Sequence, residues 1–129
     1  MLVPLAFVKE VGLLCEDYFL YFEETDWAIR SKDKFTLAYA AKSHVFHKVG
    51  ASIGTTSNPL TKSLVCDFYS VRNRLLFTWR YFPWAMPGIY FVLIGALLTR
   101  ILSGQWGRVR MIWSICLNFR TVKLSALEK

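Results

Sequence analysis

Acidic side chains all but vanish from the second half of this chain. Residues 68–129 hold one carboxylate, Glu128, against nine Lys and Arg, whereas residues 1–67 hold eight acids against seven bases. The net charge of +7 therefore joins a first part at −1 to a second part at +8. Cysteine is scarce as well: Cys15, Cys66 and Cys116 are odd in number, widely separated and form no CxxC pair. That pattern excludes a disulfide framework and a thiolate zinc site, and it fits a reducing cytosolic setting. Also lacking are a DxD, a glycine-rich phosphate loop, any internal repeat and any low-complexity tract. The N-terminal "MLVPLAFVKEVG" has no basic run before its short apolar stretch, so it reads poorly as a signal peptide. It reads better as chain that begins in the middle of a longer sequence.

Apolar residues, in contrast, are plentiful: 54% of 129 residues, with 16% aromatic, is enough to bury a core and argues against disorder. The basic half could face nucleic acid, an anionic membrane or an anionic substrate. Its long apolar runs favour the membrane over nucleic acid. Between Arg80 and Arg100 lie nineteen uncharged residues, "YFPWAMPGIYFVLIGALLT". Pro83 and Pro87 should break the first part of this run. About twelve helical residues would remain, roughly 18 Å against a hydrocarbon core of about 30 Å. An interfacial or monotopic hairpin is thus expected rather than a span. Beyond it, "GQWGRVRMIWSICLNFRTVK" sets Trp106, Ile112, Trp113 and Phe119 among Arg108, Arg110, Arg120 and Lys123. This suits a helix at a headgroup boundary, or one packed on the body of the protein with its arginines in water.

Local patterns suggest further elements. A helix is expected over Glu23 to Ser31, with Phe19, Phe22 and Ile29 able to share a face. The run "KFTLAYAAKSHVFHKVG" predicts a short strand near Phe35 to Tyr39 and an extended segment near His44 to Phe46. "GASIGTTSNP" reads as a loop. Asn58 and Pro59 resemble an N-cap and first helical position for a long amphipathic helix through Leu60, Leu64, Phe68, Val71, Leu75 and Trp79.

The stretch "EDYFLYFEETDWAIR" places five carboxylates in eleven positions among bulky aromatics. Glu23, Glu24 and Asp26 are close enough to raise one another's pKa where apolar walls exclude water, which suits a general base. Their crowding on one helical turn excludes a glycoside hydrolase pair, whose acids flank a bond at roughly 5 to 9 Å. A solvated acidic helix N-terminus is the plainer alternative. His44 and His47 form HxxH, a weak metal signal in an extended segment because positions three apart face opposite ways.

Taken in order, "VGLLCEDYFLYFEETDWAIR", "LAYAAKSHVFHKVGASIG" and "FYSVRNRLLF" resemble the C-terminal half of a bacterial family 2 glycosyltransferase of the rhamnosyltransferase-like sort. The likeness covers about residues 3 to 80. It implies an α/β, Rossmann-like GT-A nucleotide-diphosphosugar transferase fold over residues 1–80, followed by an apolar and basic helical tail over 81–129. By that resemblance Glu24 matches the catalytic base of an inverting single displacement, with Glu23, Asp26 and Trp27 supporting the base or the acceptor pocket. His47 matches a histidine that completes a divalent metal shell, Mg or Mn, in some relatives. Arg72 and Asn73 match an "RN" pair that serves either diphosphate contact or helix packing, and Gly50 to Gly54 a mobile lid or a plain connector. The partners implied are a nucleotide sugar, a polysaccharide or lipid-linked glycan acceptor and the cytoplasmic face of the inner membrane. The nucleotide-binding half with its DxD is missing, so the isolated chain is expected to be inactive, with the missing half either encoded in frame upstream of Met1, lost, or supplied as a separate chain. The rival reading is a non-catalytic, membrane-associated basic helical protein or inactive remnant.

Overall fold

A computed structural model describes residues 2–44, 46 and 63–124. Five α-helices make up its regular structure: α1 (Leu5–Val11), α2 (Glu23–Arg30), α3 (Leu64–Tyr81), α4 (Met86–Leu102) and α5 (Trp106–Asn118), with a 3-10 turn at Pro83–Ala85. No strand occurs among the described residues, which overturns the expected α/β, Rossmann-like GT-A architecture. The physical reason lies in residues 35–39. Their β-branched and aromatic side chains suit a pleated strand, but a strand needs a neighbouring ladder to satisfy its backbone, and no described segment offers one. Residues 36–40 therefore run as irregular chain, as do His44 and Phe46.

The helix expected over Glu23 to Ser31 is present, ending at Arg30 with Ser31 as its C-cap. Phe22 and Ile29 pack together against Leu76 and Phe77, but Phe19 leaves them and rests on Tyr69 at 5.1 Å. Helix α3 starts later than Asn58 and Pro59 suggest. Ser63 is extended, and its hydroxyl accepts a hydrogen bond from the Cys66 amide at 3.3 Å, so it takes the capping role. Asn58 and Pro59 themselves lie outside the described residues. From there Phe68, Val71 and Leu75 follow the helical period and are buried.

Those three side chains meet Leu93 of α4 and Met111, Ile112 and Ile115 of α5 to form the larger core. A smaller core of Tyr18, Leu76 and Phe77 lies under the acidic stretch. On its far side Phe7 of α1 packs edge-on against Trp27 and tilted against Phe35, each at 4.9 Å.

Pro83 and Pro87 do not shorten the apolar helix as expected. Pro83 opens the 3-10 turn and Pro87 sits in the first turn of α4, where a missing N–H loses no helical bond. Helix α4 therefore keeps 17 residues, about 25 Å at 1.5 Å each. Pro83–Leu102, with a mean hydropathy of 1.8, is long and apolar enough to associate with a membrane, and only 11% of it is buried in the protein. Gly104, at φ 68, takes the left-handed conformation that turns α4 into α5.

One ionic cluster ties this hairpin to α3. Asp67 is buried, and its two oxygens accept from Nη2 of Arg100 at 2.9 and 3.0 Å and from Nη1 of Arg108 at 2.8 Å. Removing the carboxylate leaves Arg100 buried with no countercharge. Asp67→Ala is expected to lower stability by about 3–5 kcal/mol, read as a shift of the urea midpoint in detergent micelles. An unchanged midpoint would mean that the cluster adds nothing to the docking of the hairpin.

Candidate functional site

The three acids of α2 have different fates. Asp26 is fully buried: Oδ2 accepts from Arg30 Nε at 2.8 Å, Oδ1 accepts from the Tyr81 hydroxyl at 2.6 Å, and Arg80 Nη1 lies 3.6 Å away. Glu23 is half-buried, with Oε2 shielded from solvent and without a hydrogen-bond partner among the described residues. Glu24 is exposed. Both glutamates occupy the first turn of α2, where free backbone amides favour negative charge.

Trp27 faces inward. Its indole Nε1 donates to the Gly12 carbonyl at 2.9 Å, and its ring is buried against Phe7. Arg30 donates to the carbonyls of Val11 and Leu13 while holding Asp26, so one guanidinium fastens the exit of α1 to α2. Gly12 makes that approach possible: its φ of +85 is unfavourable for any residue with a Cβ.

The entry to α2 is tightly bent. Tyr21 (φ 68) and Phe22 (φ 72) both adopt the left-handed conformation, which for a bulky residue stores about 1–3 kcal/mol each. Asn73, buried on α3, holds the bend: Nδ2 donates to the carbonyls of Leu20 at 2.7 Å and Tyr21 at 3.3 Å. Arg72 Nη1 donates to the Asp17 carbonyl and to Asn73 Oδ1, each at 2.8 Å. Of the two roles open to the "RN" pair, Asn73 performs packing. Arg72 shares that role through one nitrogen and leaves the rest of its guanidinium at the surface.

Burial raises the Tyr81 phenol well above its ordinary range, aided by the bond to Asp26, and raises Tyr18 to about 12. Both remain neutral at physiological pH. Arg80 pairs with Asp17, and its guanidinium holds the Asp17 carboxyl below the ordinary value of 3.8.

Thus the structure brings Asp26, Trp27 and Asn73 into the protein's framework and leaves Glu24 at the surface beside Glu23. His47, Gly50 and Gly54 lie outside the described residues. Among the described residues no three His, Cys, Asp or Glu side chains converge to hold a metal ion.

Sequence reasoning missed Arg30, Arg80 and Tyr81 as partners of Asp26. Arg30 had a signal, since an acid and a base four apart on a helix face each other. Arg80 and Tyr81 had none, being more than fifty residues away. Comparison with protein-family models, curated proteins and solved structures yields no match.

The Asp17–Arg80 pair gives a pH dependence of defined sign. A carboxyl depressed in the folded state contributes stability above its unfolded pKa and loses it as pH falls through the folded pKa. The stability difference between the parent and Asp17→Asn should therefore be constant near pH 7 and shrink toward zero below about pH 4, checked by urea titrations across that range. A difference that persists undiminished to pH 2 would deny the pair this role.

Proposed function

We propose that this chain is the acceptor-side part of a glycosyltransferase of cell-surface polysaccharide synthesis, held at the membrane by α4 and α5. The transferase assignment rests on the ordered resemblance of residues 3 to 80. The observation that best supports it is the division of labour on α2. Asp26 is committed to Arg30 and Tyr81, which fixes the helix, and Glu24 is left at its exposed first turn with no structural duty among the described residues.

In this reading Glu24 takes the proton from an acceptor hydroxyl as that oxygen bonds to the anomeric carbon of the donor sugar. The bond from that carbon to the nucleotide diphosphate breaks, and the diphosphate leaves with the electron pair. The result is one inverted glycosidic bond. In permeabilised cells that carry the gene, Glu24→Gln should reduce incorporation of radiolabelled nucleotide sugars into the membrane fraction at least 100-fold. Glu10→Gln, a surface change, should leave it within twofold. Equal incorporation by Glu24→Gln and the parent would remove Glu24 from the reaction.

Equal incorporation would also favour a second reading, a non-catalytic membrane-associated helical protein. What supports that reading is the outer face of α4. Phe91, Val92, Ile94, Leu98, Ile101 and Leu102 are exposed along it, and the one charged residue among them in sequence, Arg100, is buried on the other side. Exposed Trp84 precedes this face, while Trp106, Arg110 and Trp113 follow it on α5. Apolar surface bounded by tryptophan and arginine suits a bilayer with anionic headgroups. Both readings place α4 on lipid.

Vesicles of phosphatidylglycerol and phosphatidylcholine should carry the parent upward on flotation. The double variant Ile94→Glu, Leu98→Glu, altered only at exposed positions, should lose at least four-fifths of that recovery. Full recovery of the double variant would move the lipid contact elsewhere.

A further inference from the structure

Two depressions flank the acidic stretch, and they differ in the state of their charges. The first is lined by Leu13, Cys15, Asp26, Arg30, Arg80 and Tyr81. There the charges satisfy one another: Asp26 takes Arg30 and Tyr81, and Arg80 takes Asp17. It is framework, with little left to bind a ligand.

The second is a groove of about 400 Å3 between residues 16–19, α3 and the segment after α5. Phe68 forms its floor and Phe19, 71% exposed, leans against Tyr69 at 5.1 Å to make an aromatic wall. An exposed phenylalanine held on a second ring presents an apolar face ready for a ligand. Its charged lining residues are Glu16, Asp17, Arg72 and Lys123, of which Asp17 is already paired with Arg80. Glu16 and Lys123 are exposed and carry no ion pair among the described residues, and only Nη1 of Arg72 is engaged. Volume, aromatic lining and a few unengaged polar groups together make the profile of a small-molecule site.

We infer that this groove binds a glycosyl phosphate: a sugar ring stacked on Phe19 and Tyr69, its hydroxyls donating to Glu16, and its phosphate between Arg72 and Lys123. The ring's C–H face suits the aromatic wall, a carboxylate accepts bonds from hydroxyls, and a guanidinium with an ammonium matches a phosphate. The assignment deepens the glycosyltransferase reading, on which it rests, by giving the acceptor a resting place beside the acidic stretch. The groove's other wall, Val122 to Leu124, follows the C-terminal end of α5.

The test is a chemical-shift titration of the full chain in detergent micelles. The probes are the 1-phosphates of glucose, galactose, mannose and N-acetylglucosamine, the corresponding methyl glycosides, and inorganic phosphate. At least one hexose 1-phosphate should bind saturably and shift Phe19, Tyr69 and Lys123. Phe19→Ala, altered at an exposed position, should weaken that sugar phosphate and its methyl glycoside at least fivefold. Lys123→Ala should weaken the sugar phosphate at least fivefold and leave the methyl glycoside unchanged. Absence of saturable binding by all four, or unaltered binding by Phe19→Ala, overturns the proposal. Inorganic phosphate binding as tightly as the sugar phosphate would reveal an anion site only and overturn it too. Its failure is distinct from failure of the transferase reading. An empty groove with an inactive Glu24→Gln sinks this site alone, and an occupied groove with a fully active Glu24→Gln sinks the reaction alone.

Discussion

A single buried negative charge organises the first half of the molecule. Asp26 is fully buried, and its carboxylate is matched there by Arg30 and Tyr81, which donate to it, and by Arg80 close by. Each partner brings another element along. Arg30 carries the exit of α1 through the carbonyls of Val11 and Leu13, and Tyr81 and Arg80 carry the end of α3. Arg80 then reaches Asp17, closing the acidic stretch back on itself. A helix of eight residues, too short to be stable alone, is thereby held at three points.

The second half repeats the device at the opposite end of α3. Asp67, near the start of that helix, takes Arg100 from the end of α4 and Arg108 from the start of α5. With both ends of α3 pinned by ion pairs and its middle packed through Phe68, Val71 and Leu75, it serves as the spine for everything else. The arrangement also neutralises Arg100, the one charge within α4. The apolar face of α4 is thus left without a charge that would have to be drawn out of lipid.

Asn73 links the spine to the start of α2. It sits midway along α3 and holds the carbonyls at a bend where two successive aromatic residues take left-handed backbone. Strain of this kind persists only where the surroundings over-determine it, and here it sets where α2 begins. The two glutamates at that start, the aromatic pair Phe19 and Tyr69, and the apolar hairpin are then all anchored on one helix.

Much of this was legible from spacing alone. The period of Phe68, Val71 and Leu75 marked α3, the spacing of Phe22 and Ile29 marked α2, and the uncharged run before Arg100 marked the apolar helix. These are local properties: a helix satisfies its own backbone, and its buried face follows from a 3.6-residue repeat. What the local pattern got wrong were features that depend on partners. Residues 35–39 have strand-like side chains but, among the described residues, no strand to pair with. The prolines at 83 and 87 look like breaks but fall where a helix tolerates them. Which of three neighbouring acids would be buried was decided by tertiary structure, because beyond the local Arg30 the partners of Asp26, the Tyr81 hydroxyl and the Arg80 guanidinium, come from across the fold. Composition and period determined that this chain forms helices with one apolar enough for lipid. Long-range charge pairing decided which carboxylates became framework and which stayed at the surface.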